Sequence, residues 1–252
     1  MPDSDYRLEG RWAVVTGSTR GIGKAIALEL ASAGANVVVH GRDREAADEV
    51  SAEIRQLKRE SRVAVTDLAA ADGRTTLIEE SWRERPIDIW VNNAGVDVLT
   101  GDAAGWPFGE KLQRLWEVDV LGTVELSRAA GERMKHRGQG TIINIGWDQA
   151  ETGMKGESGE MFAVVKGGIM NFTRSLAKSL APAVRVNCIA PGWIRTAWGD
   201  GASDYWQERA QGESLLARWG EAEDIARVAR FLASDAASFV NGQTIAVNGG
   251  RR

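Results

Sequence analysis

The sequence predicts a single domain of the α/β class: a doubly wound, open parallel sheet of seven strands with helices on both faces. Three observations carry that prediction. Short β-branched runs alternate with longer amphipathic stretches, the rhythm of repeated βαβ units. Several of those runs are apolar at consecutive positions, as strands buried on both faces must be. A glycine-rich turn also joins the first strand directly to the first helix. The 252 residues form one unit, 1–252, long enough to bury roughly three quarters of the surface its unfolded chain would expose.

The elements follow in order. RWAVVTG (11–17) is the first strand, and a helix over 21–33 closes at Gly34. NVVVHG (36–41) leads into helix 43–58, and RVAVT (62–66) into helix 69–84. IDIWVNN (87–93) precedes a long helix over 108–135, and GTIINIG (140–146) precedes another over 159–180. VRVNCIA (184–190) is the sixth strand. Residues 195–215 have weak periodicity and many polar and aromatic side chains, and are expected to form a mobile flap over the C-terminal edge of the sheet. Helix 221–233 and QTIAVNG (243–249) complete the chain. Right-handed crossovers make the sheet doubly wound.

Composition narrows the function. Net charge is −4, with acids and bases mixed along the chain, which argues against nucleic acid as the main partner. Cys188 is the only cysteine, so an internal disulfide or thiolate metal cluster is impossible, and a buried apolar thiol is expected. His40 and His136 lie on different elements and suggest neither a metal site nor a triad. MPDSDYRLEG is too polar for a signal peptide, and no apolar run approaches the roughly 18 residues of a membrane helix. A cytoplasmic protein is expected.

The turn TGSTRGIG (16–23) has the form of a dinucleotide-binding element. Gly17 permits the tight turn, Gly21 lets the backbone approach a pyrophosphate, and Gly23 allows close helix–strand packing. The helix that follows offers free N–H groups and a partial positive charge. No Gly-Lys-Ser/Thr follows, so it is not a P-loop. At the end of the second strand, in HGRD (40–43), Arg42 suits a ribose 2′-phosphate, with Arg20 adding a second charge. Asp43 stands where a ribose-binding acid would be sought, but is better placed to cap helix 43–58. NADP(H) is therefore expected in preference to NAD(H).

Together these motifs resemble the short-chain dehydrogenase/reductase family, single-domain Rossmann proteins, and the 3-oxoacyl-carrier-protein reductases in particular. The resemblance spans nearly the whole chain: TGSTRGIG, Asp67-Leu68, NNAG (92–95), the FAVVK helix, PGWIRT (191–196) and LASDAASFVNGQTIAVNGG (232–250). It implies cofactor contacts from Gly17, Ser18, Thr19, Arg20, Gly21, Ile22, Gly23 and Arg42. It also implies Asp67 at the adenine amino group, Asn93, Ala94 and Gly95 along the adenosine ribose, Ile194 and Thr196 at the nicotinamide amide and Lys166 at its ribose, with Leu68, Pro191 and Gly192 as further cofactor contacts. A homotetramer or homodimer, packed through helices 108–135 and 159–180 and the last strand, is likewise implied.

The family reduces carbonyls with an Asn-Ser-Tyr-Lys tetrad, and this chain departs from it. Asp119 stands in the Asn position, Trp147 in the Ser position and Phe162 in the Tyr position; Lys166 alone is retained. The only tyrosines are Tyr6 and Tyr205, so no substitute phenol lies mid-chain. The stretch from Trp147 to Phe162 is about two residues longer than in those reductases, and Ser158, the nearest other hydroxyl, precedes the helix. A general acid contributes about 10²–10⁴ in rate and an oxyanion donor about 10²–10³, with combined effects below their product. From a turnover near ~10 s⁻¹, even the milder loss leaves about one event in a quarter of an hour. Ordinary carbonyl reduction is not expected.

Phe162 keeps the ring's packing without its chemistry, and Lys166 lies one turn away at i+4. Asp119 either anchors a water or is satisfied by its neighbours. Trp147 either plugs the pocket or offers a stacking surface. Asp148, Glu151, Glu157 and Glu160 lie nearby as ordinary loop acids. Of these, Asp148 is the candidate to replace the lost phenol as proton donor, should burial raise its pKa. Trp106, Trp193, Trp198 and Trp206 suggest an aromatic or extended apolar small-molecule ligand, or else core and subunit contacts. Three functions fit: an atypical NADP(H)-dependent oxidoreductase with a retooled site, a catalytically silent NADP(H)-binding sensor or subunit, and a non-redox lyase or isomerase.

Overall fold

A computed structural model describes residues 4–196, 199 and 201–251. Seven parallel strands form one sheet in the order β3-β2-β1-β4-β5-β6-β7. They are β1 (Trp12–Val15), β2 (Asn36–Gly41), β3 (Ser61–Val65), β4 (Ile89–Asn92), β5 (Gly140–Ile145), β6 (Val184–Pro191) and β7 (Thr244–Val247). The chain reverses its direction of winding between β1 and β4, which opens a crevice at the carboxyl ends of those two strands.

The strands bury both faces, as their continuous apolar runs require. Val15, Val37, Val39, Ile143 and Ile189 project into one core, closed by α1 (Gly21–Ser32), α2 (Arg44–Gln56) and α8 (Ala222–Ala233). Val14, Val38, Ile142 and Val186 project into the other, closed by α3 (Ala71–Trp82), α5 (Gly122–Arg137) and α6 (Glu157–Leu180). Each such side chain contributes about 1.5–3 kcal/mol by leaving water. In α8 the apolar positions Ile225, Ala226, Ala229, Leu232 and Ala233 make a single stripe, and Glu221 and Asp224 form a reciprocal capping box at its start.

Two expectations are corrected. The stretch 108–135 is not one regular helix: α4 (Phe108–Leu115) passes into a π turn over Trp116–Leu121 before α5 begins. Within the segment 195–215 lies a helix that its weak periodicity did not reveal, α7 (Asp204–Glu213). Its few buried positions, with Ala210 alone fully enclosed, explain why periodicity missed it. Helix α6 begins at Glu157, so Ser158 lies in its first turn rather than ahead of it. Asp43 caps α2, its carboxylate accepting the Glu45 and Ala46 N–H groups at 2.9 and 3.3 Å. Cys188 is buried, and desolvation pushes its thiol up to about 12.

Candidate functional site

The glycine turn after β1 has the geometry of an anion cradle. Gly17 and Gly21 adopt φ of +62° and +53°, values a side chain would strain. A Cβ on Gly23 would stand 2.2 Å from the Gly17 carbonyl and 2.4 Å from Asn93 Nδ2. Over Gly21, by contrast, the nearest atom to such a Cβ is Thr196 Cγ2 at 3.8 Å, which leaves the turn open to a ligand. No side chain caps α1 and its first turn holds no acid, so its N–H groups and dipole face outward. Arg20, exposed beside it, and exposed Arg42 at the end of β2 supply positive charge. Phosphate groups would be held by these donors.

The remaining predicted positions gather at the same carboxyl edge, with roles that differ. Asn93 braces the turn: its Nδ2 donates to the carbonyls of Thr16 and Gly17 at 3.0 and 3.1 Å. Thr16 Oγ1 accepts the Asn93 and Ala94 N–H groups. Ser18 is fully buried, and its hydroxyl accepts the His40 N–H at 3.0 Å, so it faces β2 rather than a ligand. Thr19 stands over Gly41, where an added Cβ would meet its methyl group at 2.5 Å. Ile22 packs against the core, and the Leu68 side chain is a core residue, so only the Leu68 backbone can face a ligand. Asp67 Oδ1 accepts the Ala69 N–H at 3.0 Å, leaving its carboxylate half exposed. Pro191 closes β6, Gly192 N donates to the Val247 carbonyl at 3.1 Å, and Ile194 bridges to Gly220.

At the centre, Lys166 Nζ lies 2.8 Å from Asp119 Oδ2. Asp119 is 2 % exposed, and its Oδ1 also accepts the Val96 N–H at 3.0 Å. Gly95 makes room for that carboxylate, since a Cβ there would come within 2.9 Å of Oδ2. Asp119 is thus partnered on both carboxylate oxygens by its neighbours. Phe162, four residues before Lys166 on α6, meets Trp147 edge to face, with ring centroids 6.1 Å apart and planes at 62°.

Asp148 follows Trp147 but turns elsewhere. Its Oδ2 accepts from Asn248 Nδ2 at 3.0 Å, and it borders a small cavity with Gly192, Trp193, Glu213, Ser214 and Arg251. Burial raises its pKa, opposed by the Asn248 hydrogen bond, the charge of Arg251 and the Gln149 backbone, and its Oδ1 is buried with no well-formed hydrogen bond among the described residues. Glu151 pairs with Arg174 at the surface.

The flap tryptophans make a latch that sequence reasoning did not foresee. Trp193 Nε1 donates to Glu213 Oε2 at 2.8 Å, and Arg209 lies against both Trp193 and Trp206 while pairing with Glu213 at 2.7 Å. Trp219 packs edge-on against Trp193. Trp106 is half exposed on a separate loop, and Trp198 lies outside the described residues. A second cavity, about 170 Å³, sits between this flap and β7, lined by Ile194, Leu216, Arg218 and Val247 among others. Among the described residues no cluster of His, Cys, Asp and Glu could hold a metal ion, and no helix is long and apolar enough to cross a membrane.

A family profile described as Enoyl-(Acyl carrier protein) reductase matches residues 17–252. The 3-oxoacyl-[acyl-carrier-protein] reductase of Aquifex aeolicus (strain VF5) is 34% identical over 98% of this chain and 99% of its own length. The chain belongs to the short-chain dehydrogenase/reductase family. Solved structures of that family superpose closely. A gluconate 5-dehydrogenase from Burkholderia cenocepacia J2315, in complex with NADP and tartrate, matches with a TM-score of 0.90 and 31% identity, covering 99% of this chain and 98% of that one. A 7α-hydroxysteroid dehydrogenase complexed with NADH and 7-oxo glycochenodeoxycholic acid matches with a TM-score of 0.90 and 31% identity, covering 100% and 97%. The sheet order and the glycine turn are thus those of an oxidoreductase family.

Proposed function

We propose that this short-chain dehydrogenase/reductase binds NADP(H) in preference to NAD(H) but is not a tyrosine-dependent carbonyl reductase. It is best read as a catalytically silent NADP(H)-binding protein, a sensor or the non-catalytic subunit of a mixed oligomer. One observation carries this reading. Trp147 and Phe162, which the resemblance puts at the family's Ser and Tyr positions, pack edge to face, and neither an indole nor a phenyl ring has a hydroxyl to protonate an alkoxide.

Cofactor binding is supported independently by the open turn over Gly21 and the uncapped start of α1, and by the NADP and NADH bound in its relatives. The preference for NADP(H) rests on Arg20 and Arg42, with Asp43 committed to capping α2. Bound cofactor would supply hydride chemistry; Asp67, Asn93, Ala94 and Gly95 would flank its adenosine half, and Ile194, Thr196 and Lys166 its nicotinamide half. Lys166 already holds Asp119, so its charge is balanced before any ligand arrives.

A second reading, an atypical oxidoreductase with its own proton donor, draws on Asp148, whose pKa is raised by burial and whose buried Oδ1 has no well-formed hydrogen bond among the described residues. Its engagement with Asn248 weighs against it. Titration with NADPH and NADH, followed by energy transfer from tryptophan, tests the first claim: binding of neither refutes it. Turnover of a carbonyl panel by the wild-type protein, abolished in Asp148→Asn, would favour the second reading over the first.

A further inference from the structure

His40 is the next-to-last residue of β2 and is 2 % exposed, with both ring nitrogens engaged. Nδ1 lies 3.1 Å from the Gly17 backbone N–H, and Nε2 lies 3.1 Å from Thr66 Oγ1. A backbone N–H can only donate, so Nδ1 must carry the lone pair, and Nε2–H donates a hydrogen bond to the threonine hydroxyl. The backbone of His40 adds to the grip: its carbonyl accepts the Ser18 N–H at 2.9 Å, and its N–H donates to Ser18 Oγ at 3.0 Å.

We propose that His40 is a positioning residue for the dinucleotide groove: one buried neutral imidazole ties the glycine turn at Gly17 to the loop after β3 at Thr66 and fixes their separation. These two segments form the pyrophosphate and adenine sides of the groove, so the proposal rests on the cofactor reading above. The chemistry favours this single protonation state. Burial lowers the ring's pKa to about 4, so the acceptor at Nδ1 persists throughout the neutral range. A Thr66 backbone hydrogen bond and the charge of Asp67 oppose that lowering without overcoming it; the Asp67 carboxylate itself accepts the Ala69 N–H and lies near Arg114. No other side chain in the turn supplies an acceptor to the Gly17 N–H, and losing it would leave a partly buried donor unpaired at the tightest point of the chain.

Three variants and four readouts test this. The imidazole ¹⁵N spectrum of the wild-type protein is expected to be that of the neutral ring protonated at Nε2, without titration between about pH 5 and pH 8. His40→Leu removes both hydrogen bonds and should weaken NADPH binding about tenfold. His40→Asn returns an acceptor near Nδ1 and should stay within about threefold of wild type. Melting temperature is followed for each, because a purely structural role would lower it equally for Leu and Asn without separating their affinities. Should His40→Leu fail to fold, Thr66→Val removes only the Nε2 partner: the Gly17 N–H should still keep Nδ1 unprotonated while NADPH binding weakens, and unchanged affinity would overturn the proposal.

A ring that titrates near its ordinary value, or is protonated at Nδ1, overturns the proposal. So does a leucine variant that binds NADPH as the wild type does. If the wild-type protein binds neither nucleotide, the cofactor reading falls on its own. The tautomer, and faster exchange of the Gly17 amide in His40→Leu, then decide whether the imidazole holds the turn.

Discussion

Lys166 and Asp119 meet at 2.8 Å across the gap between α6 and the π turn, and both are largely withdrawn from water. The pair closes a polar circuit, since Asp119 also receives the Val96 N–H and presses against Gly95. Where a neutral amide would leave the ammonium free to bind a ribose, the carboxylate holds it.

Breaking one side of that pair should therefore be costly. Asp119→Ala leaves the ammonium without its partner and the Val96 N–H without an acceptor, at an expected cost of about 3–5 kcal/mol. Asp119→Leu combined with Lys166→Met should cost much less than the sum of the single changes. Urea denaturation of the four proteins measures the coupling, and a single-variant loss below about 1 kcal/mol would mean the pair behaves as an exposed one.

Adding the missing phenol alone should not create a reductase. Phe162→Tyr is expected to show no NADPH consumption above background with a carbonyl panel, because Trp147 still packs edge to face against the ring and Lys166 stays paired with Asp119. Combining it with Trp147→Ser and Asp119→Asn should raise the rate by about 10²–10⁴, the worth of a positioned general acid. Activity in the single variant would mean that the pocket is open and lacked only its acid.

Gly23→Ala is expected to disable nucleotide binding and lower the melting temperature together. Its methyl group would fall 2.2 Å from the Gly17 carbonyl, and only a backbone shift of the turn can relieve that. Gly109→Ala, at an open helix position with nothing within 4 Å, is the control and should leave both properties unchanged. Unaltered NADPH affinity in Gly23→Ala would mean that the turn does not form the binding surface.

The pH dependence of stability should carry the mark of Asp148. Burial raises its pKa in the folded protein. Its contribution is fully present below the unfolded value of about 3.9 and is lost as pH rises through the raised one. Asp148→Asn keeps an oxygen for Asn248 and loses the charge. Its denaturation midpoint should exceed the wild type's at neutral pH, and the difference should shrink as the pH falls toward about 4. A variant less stable than wild type at neutral pH would show that the carboxylate is favourable where it lies.

Much of the fold was legible because its signals are local. The β-branched runs of β1, β2 and β5, the turn at Gly17 and the Asp43 cap each rest on a few neighbouring residues. The site was legible only as a set of names. That Lys166 faces Asp119 depends on two elements far apart in sequence, and that Asp148 turns toward Asn248 depends on one a hundred residues away. A helix with only Ala210 fully buried leaves no stripe to read, so α7 and its Arg209–Trp193 contact were invisible as well. His40 looked unremarkable because its two partners come from loops, whose positions no periodicity encodes.

The π turn at Trp116–Leu121 changes the angular bookkeeping of the long helix that contains it. An α-helix advances roughly 100° per residue, and a π turn accommodates one residue too many, so the faces of α4 and α5 are set out of phase by that surplus. Leu115 and Leu126 can then each be buried in a different core cluster, although no single straight stripe connects them. Deleting one residue within the turn would restore regular winding and swing one flank of the helix around its axis. Asp119 would leave Lys166, or Leu126 would leave the sheet, and the helix could not keep both.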